Sequence, residues 1–204
     1  DAPLVSLPQT SSDSGLKTDK ECISALKRHL ACSGAGNATV EPTGDGCWHV
    51  AFQADPTATV SIVIATRDKP EMATRCLGAL FEHLPSTNYE IILLNAGSRH
   101  LKIELPVELR DRPELRIIDA ERSTSPAELR NLGARHAHGD YLLFLDDDVL
   151  VLQPDWLDRL MGLALQPNIV AVGPKIVSPP DGKLTLSGYT LGLKGEAGSP
   201  HEHH

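Results

Sequence analysis

The sequence predicts an α/β fold: a mainly parallel sheet flanked by helices, with a small α+β appendage in front of it. Three observations carry this. From about residue 59 onward, short apolar runs alternate with segments of helical periodicity, which is how strands joined by helical crossovers read. The first of these runs is continuous and rich in β-branched residues rather than alternating, as a strand buried on both faces requires. The 204 residues, 41% apolar and 23% charged, also suffice for one soluble core and something extra.

The elements follow in chain order. Residues 1–18 are rich in Ser, Thr, Pro and Asp and read as a linker or disordered tail. Residues 19–33 read as a helix, with Ile23, Leu26 and Leu30 on one face. A glycine-punctuated stretch follows, and residues 48–52 alternate as a short strand would. These make a small appendage over 19–55, with a boundary near Asp55 and Pro56. The main domain is expected over 56–204. Its first strand is residues 59–65. A helix over 70–84 places Met72, Cys76, Leu80, Phe81 and Leu84 on one side. Strands are expected at 90–94 and 115–119. Ser125, Pro126 and Glu128 make a good helix start; that helix runs to about His138, with Gly139 suiting its C-terminal cap. Residues 141–145 form a buried strand that runs directly into Asp146, Asp147 and Asp148. A helix opens at Pro154, and residues 169–172 read as a fifth strand.

Composition narrows the function. The net charge is −8, which argues against a nucleic-acid partner. No apolar run approaches the roughly 18 residues of a membrane span, and the start has neither a basic nor an apolar leader region. Asp1 at one end, and His201, Glu202, His203 and His204 at the other, read as cut ends of something longer. Cys22, Cys32, Cys47 and Cys76 form no CxxC pair. They read as reduced, partly buried thiols of a cytoplasmic protein; a Cys32–Cys47 or Cys22–Cys47 disulfide is the alternative.

The strongest chemical signal is the Asp triplet at a strand end. Ligands of open α/β sheets bind outside the carboxyl ends of the strands. Successive carboxylates repel one another and suit a hard divalent cation with phosphate co-ligands. Asp146 and Asp148, two apart, would share a side of an extended strand end. A second signal is the loop of Thr66, Arg67, Asp68 and Lys69 entering a helix at Pro70, where free backbone N–H groups favour an anion. A third is Arg130, on the helix before the Asp-bearing strand and within reach of a phosphate there.

In order along the chain, residues 60–70, 89–98, 130–135, 139–148, 154–157, 171–175, 180–182 and 188–198 resemble the motifs of the nucleotide-sugar-binding half of family 2 glycosyltransferases. These have the GT-A, Rossmann-like fold, and the resemblance is to the bacterial cell-surface polysaccharide type. It implies a donor site of Ala65, Thr66, Arg67, Asp68, Asn95, Ala96, Arg130, Asp146 and Asp147. Asp146 and Asp148 would form a DxD motif holding Mn2+ or Mg2+; outside the resemblance, His201 is a further ligand candidate by residue type, with a mobile tail as the other reading of the terminal histidines. It also implies inverting transfer from a nucleoside diphosphate sugar to a glycan or lipid-linked acceptor, at the inner face of the cell membrane, with peripheral membrane association through further parts.

Two departures stand out. Asn95 replaces the family's Asp and Ala96 a residue that is commonly Asp or Asn, positions that help to read the base, and Ala65 replaces a proline. The family's catalytic base lies well beyond the DxD motif. Asp155, Asp158, Asp181, Glu196 and Glu202 stand in the wrong context for it. The expectation is a chain that binds donor and lacks both the base and the acceptor half. The competing readings are a degenerate interaction domain and a nucleotidyltransferase, although residues 66–70 lack the glycine-rich loop of the latter. A phosphatase using Asp146 as nucleophile and Asp148 as acid would need a later Lys and acidic pair.

Overall fold

The computed structural model describes residues 19–43, 47–84, 88–97, 104–167 and 169–178, together with the backbone of three strands further on. The elements are α1 (Asp19–Cys32), β1 (Thr39–Pro42), β2 (Trp48–Ala51), β3 (Val60–Thr66), α2 (Pro70–His83), β4 (Tyr89–Asn95), α3 (Val107–Arg110), β5 (Leu115–Asp119), α4 (Pro126–His136), β6 (Tyr141–Asp146) and α5 (Trp156–Ala164). The strands β7 (Ile176–Ser178), β8 (Lys183–Leu186), β9 (Thr190–Leu193) and β10 (Glu196–Gly198) follow.

Two compact units result. One holds Asp55–Leu157; the other joins Asp1–Ala54 to Asp158–His204. The break at 54/55 falls where the composition changes. The described residues from Asp158 on belong to the second of these units. In that unit β1 and β2 pair antiparallel, and Gly162 lies so close to Phe52 that an added Cβ would sit 2.0 Å from the Phe52 carbonyl oxygen. The β7–β8 and β9–β10 pairs are antiparallel as well.

The unit of Asp55–Leu157 carries a four-stranded parallel sheet in the order β5-β4-β3-β6. Its centre reads as a continuous apolar run because both faces are covered. Ile62, Ile64, Ile91, Ile92, Leu93 and Leu94 are fully buried, as are Cys76, Leu77 and Leu80 of α2. Each such side chain contributes about 1.5–3 kcal/mol. On one face α4 packs against β3 and β4. Gly133 makes that approach possible, since a Cβ there would meet Val63 Cγ1 at 2.3 Å.

Three expectations change. β6 is not buried on both faces: Leu142 and Phe144 are 45% and 44% exposed. The reason is positional, because β6 pairs with β3 alone among the described strands while α4 covers β3 and β4. Residues 169–172 form no strand, and Val170 is fully exposed. An apolar run becomes a strand only where a neighbouring edge takes its backbone hydrogen bonds. Finally, α4 ends in Ala137, whose N–H reaches Ala134 O, and not in a glycine cap. Gly139 serves packing: a Cβ there would lie 2.7 Å from Ser61 N and 2.9 Å from Val60 C.

The amino ends of the strands are tied by Glu90. It accepts from Ser61 Oγ at 2.7 Å, from His138 N–H at 2.6 Å and from Arg116 Nη1 at 3.2 Å. Gly139 N–H in turn donates to Ser61 Oγ at 2.8 Å. Next to this, Thr59 N–H and Oγ1 both donate to Asp140 at 3.0 and 2.8 Å. Burial pushes the Glu90 carboxyl up, but the donors from Ser61, His138 and Arg116 outweigh it and bring it down to about 2.

Two outcomes are expected. Gly139→Ala should lower the urea midpoint by an amount worth about 1–3 kcal/mol, because the new methyl meets backbone and not a side-chain tip. Glu90 has a folded pKa below its ordinary 4.5, so its stabilisation is present in full above that value. It is lost as pH falls from there toward 2. Urea unfolding followed downward from pH 6 should show that fall, and Glu90→Gln should flatten it by roughly 1–3 kcal/mol.

Candidate functional site

An open α/β sheet binds ligands where successive strands leave in opposite directions, outside their carboxyl ends. Here the chain passes from β3 to β4 and β5 on one side, then returns to place β6 on the other. The switch point therefore lies between β3 and β6. Thr66, Arg67 and Asp68 stand at the end of β3, and the Asp triplet stands at the end of β6.

Ala65 and Asp146 are register partners across this point. Arg130, carried over from α4, donates from Nη2 to Asp146 Oδ1 at 3.1 Å. Two residues that are 16 apart and predicted separately thus meet. Both side chains are well exposed, so the pair itself contributes little stability, about 0–1 kcal/mol. The strand stops at Asp146: Asp147 and Asp148 form a turn, closed by Val149 N–H to Asp146 O at 3.3 Å. The extended spacing expected of Asp146 and Asp148 is replaced by this turn. Asp148 is exposed and Asp147 half-buried.

The loop after β3 is tied to the loop before α4. Arg67 Nη2 donates to the carbonyl of Thr124, and Asp68 Oδ2 pairs with Arg122 at 3.0 Å. Asp68 adopts a left-handed backbone, φ 53°, which Asp tolerates better than most residues. Lys69 precedes α2 without a side-chain cap, which leaves the N–H groups of the first turn to solvent or ligand.

Thr66 is 2% and Asn95 7% exposed. Asn95 Nδ2 donates to Asp119 Oδ1 at 2.9 Å, and its Oδ1 accepts Gly97 N–H at 3.3 Å. Ala96 belongs to the core with Val63, Ile92, Leu94 and Leu129, so its side chain does not face the carboxyl edge. Asp119 was not singled out in the sequence. Its signal was the ordinary one of an acid ending an apolar strand, which only the neighbouring Asn95 makes informative. His201, also predicted, lies outside the described residues.

A buried thiol stands behind the triplet. Cys76 Sγ lies 3.8 Å from Asp146 O. Burial, and after it the charges of Asp147 and Asp148, push its pKa up to about 12. Neither the Cys32–Cys47 nor the Cys22–Cys47 disulfide forms.

The implied divalent cation fits this donor set. The ligands offered are hard carboxylate oxygens, their negative charge is felt at Cys76, and Arg130 pairs with Asp146. Among the described residues no three His, Cys, Asp or Glu side chains gather into a metal cage. A cation here would thus take its remaining ligands from phosphate and water, as Mg2+ usually does.

A four-stranded parallel sheet flanked by helices, with its switch point between β3 and β6, is of the GT-A, Rossmann-like kind. The glycosyl transferase family 2 model matches residues 61–193, and the chain belongs to that family. The chain is 29% identical over 196 residues to the O-antigen biosynthesis protein RfbC of Myxococcus xanthus, covering 96% of this chain and 15% of that protein. It is 29% identical over 181 residues to the uncharacterized protein y4gI of Sinorhizobium fredii, covering 87% and 20%. Among solved structures it resembles the mannosyltransferase PcManGT from Pyrobaculum calidifontis in complex with GDP-Man and Mn2+. There the identity is 22% and the TM-score 0.49, over 64% of this chain and 39% of that one. The chain thus spans a fifth or less of the length of the two sequence relatives.

The thiols offer a check on the site's interior. At pH 8 a thiol reagent, followed by mass spectrometry, should modify exposed Cys32 at least about a hundredfold faster than Cys76, and denaturation should remove the difference.

Proposed function

We propose that this chain forms the donor-binding part of an inverting glycosyltransferase, a hexosyltransferase acting in cell-surface polysaccharide assembly. The observation that carries the reading is the meeting of Arg130 and Asp146 across the switch point, beside Asp147 and Asp148. The name of the Myxococcus relative supports the polysaccharide context.

Each residue has a part. Thr66, Arg67 and Asp68 border the nucleoside, with the first turn of α2 offering N–H groups to an anion. Arg130 orients Asp146 and presents its remaining guanidinium donors to the diphosphate. Asp146 and Asp148, the DxD pair, would hold Mn2+ or Mg2+, which supplies charge neutralisation of the leaving diphosphate. The donor set is thereby preorganised against the charge that develops on departure. An acceptor hydroxyl of a glycan or lipid-linked glycan attacks the anomeric carbon in line. The new C–O bond forms as the bond to the diphosphate breaks, and a base takes the hydroxyl proton. That base is assigned to none of the described residues. Among these, no helix is long and apolar enough to cross a membrane.

Calorimetric titration with uridine, guanosine and thymidine diphosphates in Mn2+ tests the reading. At least one should bind in a metal-dependent way, and Asp148→Ala should weaken it about tenfold or more, equivalent to about 1.4 kcal/mol, with the melting temperature unchanged. Failure of all three to bind would overturn it.

A further inference from the structure

Thr66, Asn95 and Asp119 close β3, β4 and β5 and are register partners in turn. Paired residues of parallel strands point to the same side, so the three form one row along the carboxyl edge. The row is graded in exposure: Thr66 and Asn95 are buried, and Asp119 is exposed. Asn95 has little left to offer a ligand. Its amide nitrogen is directed at Asp119 and its carbonyl oxygen accepts Gly97 N–H. Asp119 differs. Among the described residues its side chain makes one hydrogen bond, the one received at Oδ1 from Asn95.

The position is also braced. Ala120 N–H donates to Asn95 O at 2.8 Å. The loop that follows β5 is fastened to the loop after β3 by Arg67 to Thr124 O and by Arg122 to Asp68. Asp119 therefore stands on a strand end held from two directions, next to the loop that borders the nucleoside.

Resting on the donor-site reading above, we propose that Asp119 is the base-reading residue of this chain and that Asn95 is its positioning residue. An ionised carboxylate only accepts hydrogen bonds, and it accepts them strongly. It selects a base that presents a ring N–H: uracil or thymine through N3–H, or guanine through N1–H with the adjacent amino group. The ring nitrogens of cytosine and adenine at the corresponding edge are acceptors, and a facing carboxylate repels them. The amide of Asn95 holds the carboxylate in one orientation. The carboxylate expected at position 95 is thereby supplied from the next strand.

Titration of the whole chain with Mn2+ and inorganic pyrophosphate, then with uridine, guanosine, cytidine and adenosine diphosphates, tests this. The wild-type chain should bind pyrophosphate, and should prefer the uridine or the guanosine compound over the cytidine and adenosine ones by about tenfold or more. Asp119→Asn is isosteric and lies at an exposed site. It should leave pyrophosphate binding unchanged while reducing that preference to within about threefold. Asn95→Ala should reduce the preference in part, again without moving pyrophosphate. Pyrophosphate binding with an unchanged preference in Asp119→Asn overturns the role of Asp119 alone. No metal-dependent binding of pyrophosphate or of any nucleoside diphosphate overturns the donor site and this inference together.

Discussion

β3 is hydrogen-bonded to β4 along one edge and to β6 along the other, from Val60 to Ala65. The carboxyl-edge geometry depends on that double pairing. It sets Thr66, Arg67 and Asp68 beside Asp146. It also makes the chain reverse its direction of travel across the sheet, and such a reversal is where open α/β sheets bind ligands. The amino end is secured separately. Glu90 gathers Ser61, Arg116 and the His138 N–H, while Gly139 lets the α4–β6 connection lie against Ser61. The two ends divide the work, with satisfied hydrogen bonds at the bottom and charge at the top.

The charge at the top is uneven. Three successive carboxylates, Asp146 at the end of β6 and Asp147 and Asp148 in the turn after it, stand together, and Arg130 pairs with the first of them. The negative field extends inward to Cys76. A net charge of −8 thus has a local as well as a global meaning. Part of it is concentrated where the implied divalent cation would offset it. Exposed pairs such as Arg130–Asp146 add little to folding.

Much of this was legible in the sequence. The continuous apolar runs located β3 and β4, since both faces of each are covered. The Ser125–Glu128 capping box is present as read, with Ser125 accepting the Glu128 N–H and the Glu128 carboxylate returning to Ser125. Arg130 and the Asp triplet were found by motif and spacing. The misreadings share one cause: periodicity reports what a segment would bury, not whether a partner is there to bury it. Leu142 and Phe144 look like core residues, as do residues 169–172, yet the former face outward on β6 and the latter form no strand. Gly139 resembled a helix cap because its real contact, Ser61, is 78 residues away.

The sequence by itself determined the class of fold and the order of its main strands and helices. Local propensity, capping chemistry and apolar periodicity act over a few residues, and the sequence displays them directly. Which charges meet was decided by the tertiary structure. Strand order brought Asp146 to Ala65, helix packing carried Arg130 to Asp146, and parallel register set Asp119 beside Asn95. These are contacts across long stretches of chain, and they form because burying the faces of β3 and β4 leaves the strand ends few other places to be.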